Sequence, residues 1–188
     1  MNGVMDTPSQ VQSPRLKLSD VLFGKGGERV FAVLDGASSP QLLKNLYALG
    51  PEYCCLYRGE LEPDIATVAP YLVRLDAGEK FTEWVLAEGW GVHWGIFALT
   101  TADLRTMRDH LRQFHTVELP DQRTVLFRYY DPRVLGSFLP PCNEGELKAF
   151  FGPVRSFIAE GDLPDAGMRF EFNGKSLKSE PFQLKPPS

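Results

Sequence analysis

Hydrophobic and polar positions change their period several times along the chain, and each change predicts an element. Arg29–Leu34 is almost continuously apolar, has the length of a strand and stops at Asp35-Gly36, which predicts a buried central strand. From Ser39-Pro40 the leucines recur at helical spacing until Gly50-Pro51, so a helix capped by Ser39 with Pro40 in its first position is expected. Tyr53–Tyr57 and Tyr71–Leu75 read as strands, separated by turn residues around Pro63-Asp64 and Pro70. Gly78–Glu88 reads as a helix carrying Phe81, Trp84 and Val85, and Val92–Leu99 as a strand. Thr100–Phe114 has the clearest helical stripe, formed by Leu104, Met107, Leu111 and Phe114, with Thr100 and Asp103 as a capping pair. His115–Leu119 and Thr124–Tyr130 flank Pro120-Asp121-Gln122 as a hairpin. Helices over Pro132–Leu139 and Glu144–Phe151 follow, the second capped by Asn143 with Glu146 three residues on. Val154–Ala159 and Met168–Phe172 are late strands, the latter ending at the turn Asn173-Gly174.

This order predicts a single domain of the α/β kind (mixed α+β), a mixed β-sheet covered by helices with a short β appendage at the C-terminus. The expected boundaries are a loose tail over 1–15, the main domain over 16–159, and the appendage with a frayed end over 160–188. Leu16–Phe23 is a short amphipathic stretch, and Gly24–Gly27 a turn rather than a phosphate loop, because its glycines precede a strand instead of opening a helix.

Composition narrows the function more than it narrows the fold. A chain of 188 residues with 43% hydrophobic content buries enough surface to need no staple. Thirteen phenylalanines promise a large aromatic core with some rings left for a contact surface. A net charge of −4 argues against a nucleic-acid partner, and no apolar run is long enough for a membrane span. Three cysteines without framework spacing and an N-terminus without signal-peptide character point to the cytoplasm.

Chemistry-bearing motifs are sparse. His93, His110 and His115 lack metal-ligand spacing, so no metal and no cofactor is expected. Cys54 and Cys55 should point to opposite strand faces. No nucleophile elbow is present, and no catalytic residue is assigned. Asp35, where the first strand ends, reads as a turn residue, with a catalytic carboxylate as the alternative. Trp90 and Trp94 share a parity that sends them into the core; alternatively Trp90, nearest the loop, anchors a partner.

The most informative window is Val125–Arg133, where an apolar strand runs into Arg128, Asp131, Pro132 and Arg133. Asp131 suits a helix N-cap and Pro132 the first helical position, where a missing N–H costs nothing. Both arginines would then lie close to Asp131. Either they form an intramolecular clasp, or one keeps a hand free for a partner's carboxylate.

Several segments occur together and in order: Val33–Ala37, Leu56–Gly59, Ala69–Val73, Trp94-Gly95, His110–Arg112, Leu126–Leu135 and Phe150–Val154. On these blocks, which span about Val30 to Ile158, the chain resembles the effector adaptors, or chaperones, of bacterial type VI secretion (Tap/Tec type), a family long known only as a domain of unknown function. The resemblance implies a non-enzymatic role: binding a cognate toxic effector and helping to load it onto the VgrG spike. It brings no catalytic residues, and Asp35, Asp131 and Pro132 become structural motif positions. Candidate partner contacts are Trp90, Arg128, Arg133 and Phe138. The alternatives are a small hydrolase or transferase using Asp35 at a strand end, and a module binding an acidic ligand at Arg128.

Overall fold

The structure, a computed structural model, describes residues 16–24, 26–118 and 121–185. The expected tail over 1–15, the frayed end beyond Lys185 and the Leu119-Pro120 part of the hairpin turn lie outside those residues. Seven strands form the main sheet among the described residues. They are β1 (Arg29–Asp35), β2 (Tyr53–Cys55), β3 (Pro70–Leu75), β4 (Gly95–Thr100), β7 (Val154–Glu160), β8 (Ala166–Phe172) and β9 (Leu177–Gln183), in the order β2-β3-β1-β4-β7-β8-β9. β5 (Thr116–Glu118) and β6 (Thr124–Leu126) make the expected hairpin beside it.

Alternation along β1 divides the core. Phe31 and Val33 face one cluster, with Met107 and Leu111 of α5 (Leu104–Leu111), Leu135 of α6 (Pro132–Phe138) and Leu147, Phe150 and Phe151 of α7 (Glu144–Phe151). Val30, Ala32 and Leu34 face the other, with Leu18 and Leu22 of α1 (Leu18–Phe23), Leu42 and Leu46 of α2 (Leu42–Leu49), and Phe81 and Val85 of α4 (Lys80–Glu88). Helices thus cover both sides of the sheet.

The α+β class holds, with one correction: the sheet is not mixed. Every strand pair in it is antiparallel. β1 and β2, joined through α2, do run the same way, but β3 inserts between them, so the strand–helix–strand pattern does not place parallel strands side by side. The C-terminal strands continue this sheet from β7 instead of standing apart.

Other boundaries moved for local reasons. The expected strand from Val92 begins at Gly95, because Gly91 (φ 86°) and His93 (φ 60°) turn the chain before it. Gly95 itself is required, since an added Cβ would press into the Val33 carbonyl. Thr100 ends β4 and caps no helix; its hydroxyl donates to the Pro153 carbonyl at 2.7 Å, and Asp103 alone caps α5. Ser39 does not cap α2, which starts at Leu42 after a turn in which the Ser39 N–H donates to the Asp35 carbonyl. Pro63–Val68, expected as a turn, is a short helix, α3. β9 carried no alternating signal: Lys178, Ser179 and Glu180 are exposed and Pro181 follows, which suits an edge strand. Cys54 and Cys55 do point to opposite clusters.

Candidate functional site

Asp35 ends β1 with only 3% of its surface exposed. Its carboxylate accepts the Ala37 N–H at 3.1 Å and the Ser38 hydroxyl at 2.8 Å, the turn role read from the sequence. It is also paired with the Arg128 guanidinium. Arg128 arrives from the irregular stretch after β6, which ends at Leu126 and not at Tyr130 as expected. Its side chain is 46% exposed, and its guanidinium carbon lies 6.0 Å from the Tyr130 ring centroid. Burial pushes the Tyr130 phenol up, so the ring stays neutral beside the ion pair.

Asp131 caps α6 as its sequence context predicts, accepting the Arg133 backbone N–H at 2.9 Å, with Pro132 in the first turn. The Arg133 side chain returns to the same carboxylate through Nε at 3.0 Å and Nη2 at 2.7 Å. Burial raises the Asp131 carboxyl, but the hydrogen bonds from Arg133 outweigh it and hold the group below the usual carboxylate range. The two arginines therefore do not share Asp131. Arg133 closes a local clasp on the helix start, while Arg128 ties the same junction to the end of β1.

The four anticipated contact residues separate. Arg128, Arg133 and Phe138 gather around α6, where Phe138 packs half-buried against Phe127 and Phe150 at ring distances of 4.8 and 5.1 Å. Trp90 lies on the opposite face of the sheet, not on a strand as its parity suggested. Its indole N–H donates to the Pro164 carbonyl at 2.9 Å, and its ring stacks on Phe97 at 6.3 Å.

Sequence reasoning missed a second polar centre. Glu160 closes β7 with its side chain 4% exposed, and its carboxylate takes the His93 backbone N–H at 3.1 Å. His93 Nδ1 is 2.8 Å from Oε2 but outside hydrogen-bond geometry. Burial pushes the Glu160 carboxyl up, against the lowering effect of the His93 and Gly91 N–H groups. The arrangement follows a turn with left-handed backbone at Gly91 and His93, which nothing in the sequence announces. Among the described residues, no three His, Cys, Asp or Glu side chains converge as metal ligands, and no helix is long and apolar enough to cross a membrane.

His115 supplies a measurable pH response. Its ring packs at 5.7 Å from Tyr57 and 5.6 Å from Tyr129, with Nε2 buried and unpartnered. Burial, with Arg112 nearby, pushes it down to about 4. An unfolded histidine titrates near ~6.5, so over that interval the unfolded chain takes a proton that the folded chain refuses. His115 therefore makes stability fall as pH drops from about 6.5 towards 4. His115→Phe should raise Tm at pH 5 and flatten that slope; an unchanged slope would show that His115 is not its source.

Residues 30–149 match the model of a family described as a domain of unknown function (DUF4123). The chain belongs to this family. No curated protein and no solved structure matches it. The family stretch contains Asp35, Arg128, Asp131 and Arg133 and runs into α7. β7 to β9, with Glu160, lie beyond it.

Proposed function

We propose that the chain is a non-enzymatic, cytoplasmic adaptor that binds a cognate type VI secretion effector and helps to load it onto the VgrG spike. Family membership and the ordered sequence blocks support this reading. The observation that carries it is the pair of clasps at α6. Asp35 is turned inward, with Ala37, Ser38 and Arg128 on its oxygens, which favours a structural role over the catalytic alternative. Arg128 and Arg133, in contrast, hold their partners while 46% and 68% of their side chains face solvent. Exposed arginines already held in place by an ion pair, one of them beside the Tyr130 ring, suit protein recognition, because less freedom remains to be lost on binding. The test is co-expression with the effector encoded beside the chain's own gene. Recovery of a stoichiometric complex is expected, with the effector losing solubility when the chain is omitted. Independent purification of both proteins, with no complex at micromolar concentrations, would contradict the reading.

A further inference from the structure

Glu160 closes β7 at the point where two turns meet. The turn before β4 runs through Gly91 and His93, both with left-handed backbone at φ 86° and 60°. The turn after β7 passes Gly161 and Pro164, and the Trp90 indole N–H reaches across to the Pro164 carbonyl. Glu160 fastens the first turn to the sheet. Its carboxylate takes the His93 backbone N–H at 3.2 and 3.1 Å, and the Gly91 N–H as well. Left-handed backbone persists at a residue with a side chain only where its surroundings hold it, and these bonds do so.

The same backbone brings the His93 ring back over its anchor, with Nδ1 2.8 Å from Oε2. An ionised carboxylate and an unprotonated ring nitrogen are both acceptors, so this contact is repulsive until a proton lies between them. Nδ1 is buried and makes no hydrogen bond, although the side chain as a whole is 38% exposed. That exposed side leaves the ring room to turn and bring a protonated Nδ1 into line with Oε2. Burial disfavours the ionised form of Glu160 and pushes its carboxyl up, the direction that keeps a proton at this pair.

Among the described residues, Arg133 of α6 and Asp162 after β7 are the other charged groups bordering the groove beside the pair. They are opposite in sign, and Arg133 is already bound to Asp131. On β8 the register partner of Glu160 is Gly167, and Arg169 beyond it is engaged by Ser156 and the Val21 carbonyl. β9 contributes Ser179 and Pro181 to the groove, neither of them charged.

We propose that Glu160 and His93 form a proton-operated latch on the turn before β4. With one proton between Oε2 and Nδ1, the ring closes on the carboxylate and clamps the turn to β7. Without it, the two acceptors repel and the turn hangs on its backbone N–H groups alone. In the unfolded chain the two residues are apart, and they take protons near ~6.5 and ~4.3. The folded pair keeps its proton to higher pH than either does alone. The latch therefore stabilises the fold fully below ~6.5 and is lost as pH rises through the titration of the pair. Its sign is opposite to that of His115, and it operates whatever the chain binds.

Thermal unfolding of wild type and His93→Asn at pH 6 and pH 9 tests the latch. Asparagine accepts left-handed backbone and carries no titrating ring, while the contribution of His115 is common to both proteins and cancels. Wild type should exceed His93→Asn by about 2–4 °C in Tm at pH 6 and match it at pH 9. A difference that fails to shrink between the two pH values, or none at either, would overturn the proposal. Glu160→Gln keeps an acceptor for the N–H groups of the turn but cannot ionise. Adding His93→Asn to it should change Tm at pH 6 by less than about 1 °C. A loss as large as in wild type would show that His93 does not act through Glu160, which overturns the latch as well. Should Glu160→Gln fail to fold, the comparison of wild type with His93→Asn decides alone.

Discussion

Phe150→Ala should destabilise the chain by about 3–5 kcal/mol, a loss in Tm on the order of 10 °C. Phe150 is 1% exposed and sits at the centre of an aromatic cluster. Its ring centroid lies 5.1 Å from both Phe114 and Phe138, 5.3 Å from Phe157 and 5.8 Å from Tyr129. Those rings come from the 3-10 turn after α5, from α6, from β7 and from the segment before α6, so no single neighbour can move to fill the space. The cavity would persist, which places the cost at the upper end for large-to-small changes. Because Phe138 packs on Phe150, the same substitution should loosen α6 and weaken partner binding beyond the loss of folded protein. Urea unfolding followed by tryptophan fluorescence measures the first effect; a midpoint close to wild type would mean that the cluster repacks.

Asp35→Ala is the second large effect, roughly 2–3 kcal/mol. It removes the acceptor of the Ala37 N–H and the Ser38 hydroxyl in the turn after β1, and the partner of Arg128. Arg128 is half in water and can hydrate once released, which keeps the cost below that of a fully buried broken pair. Asp35→Asn retains an acceptor in the same shape and should recover part of the loss. Arg128→Ala leaves the carboxylate buried without its cation, and the two alanine substitutions together should cost less than their sum. Strict additivity in that double-mutant cycle would show that Asp35 and Arg128 do not act as a unit.

The parts of this arrangement that depend on neighbours in sequence were legible from it. Asp131-Pro132 announces its helix because an N-cap and a first-turn proline are local chemistry, and the Asn143–Glu146 capping box is present for the same reason. The apolar run of β1 likewise had one reading. Arg128 was read towards Asp131, its near neighbour, yet it pairs with Asp35, 93 residues away. No local pattern encodes that choice; it follows from the sheet bringing the end of β1 beside the start of α6. The strand at Leu177–Gln183 stayed hidden because an edge strand need not alternate apolar and polar residues, and this one carries charges and a proline instead.

Amide hydrogen exchange of the chain, alone and with the neighbour-encoded effector, tests most directly whether α6 and its clasped junction form the binding face. The account predicts slowed exchange over α6 and the junction before it in the complex, with the Trp90 side of the sheet unchanged. A complex that forms with exchange at α6 unaltered, and protection confined to the α2 and α4 face, would contradict it.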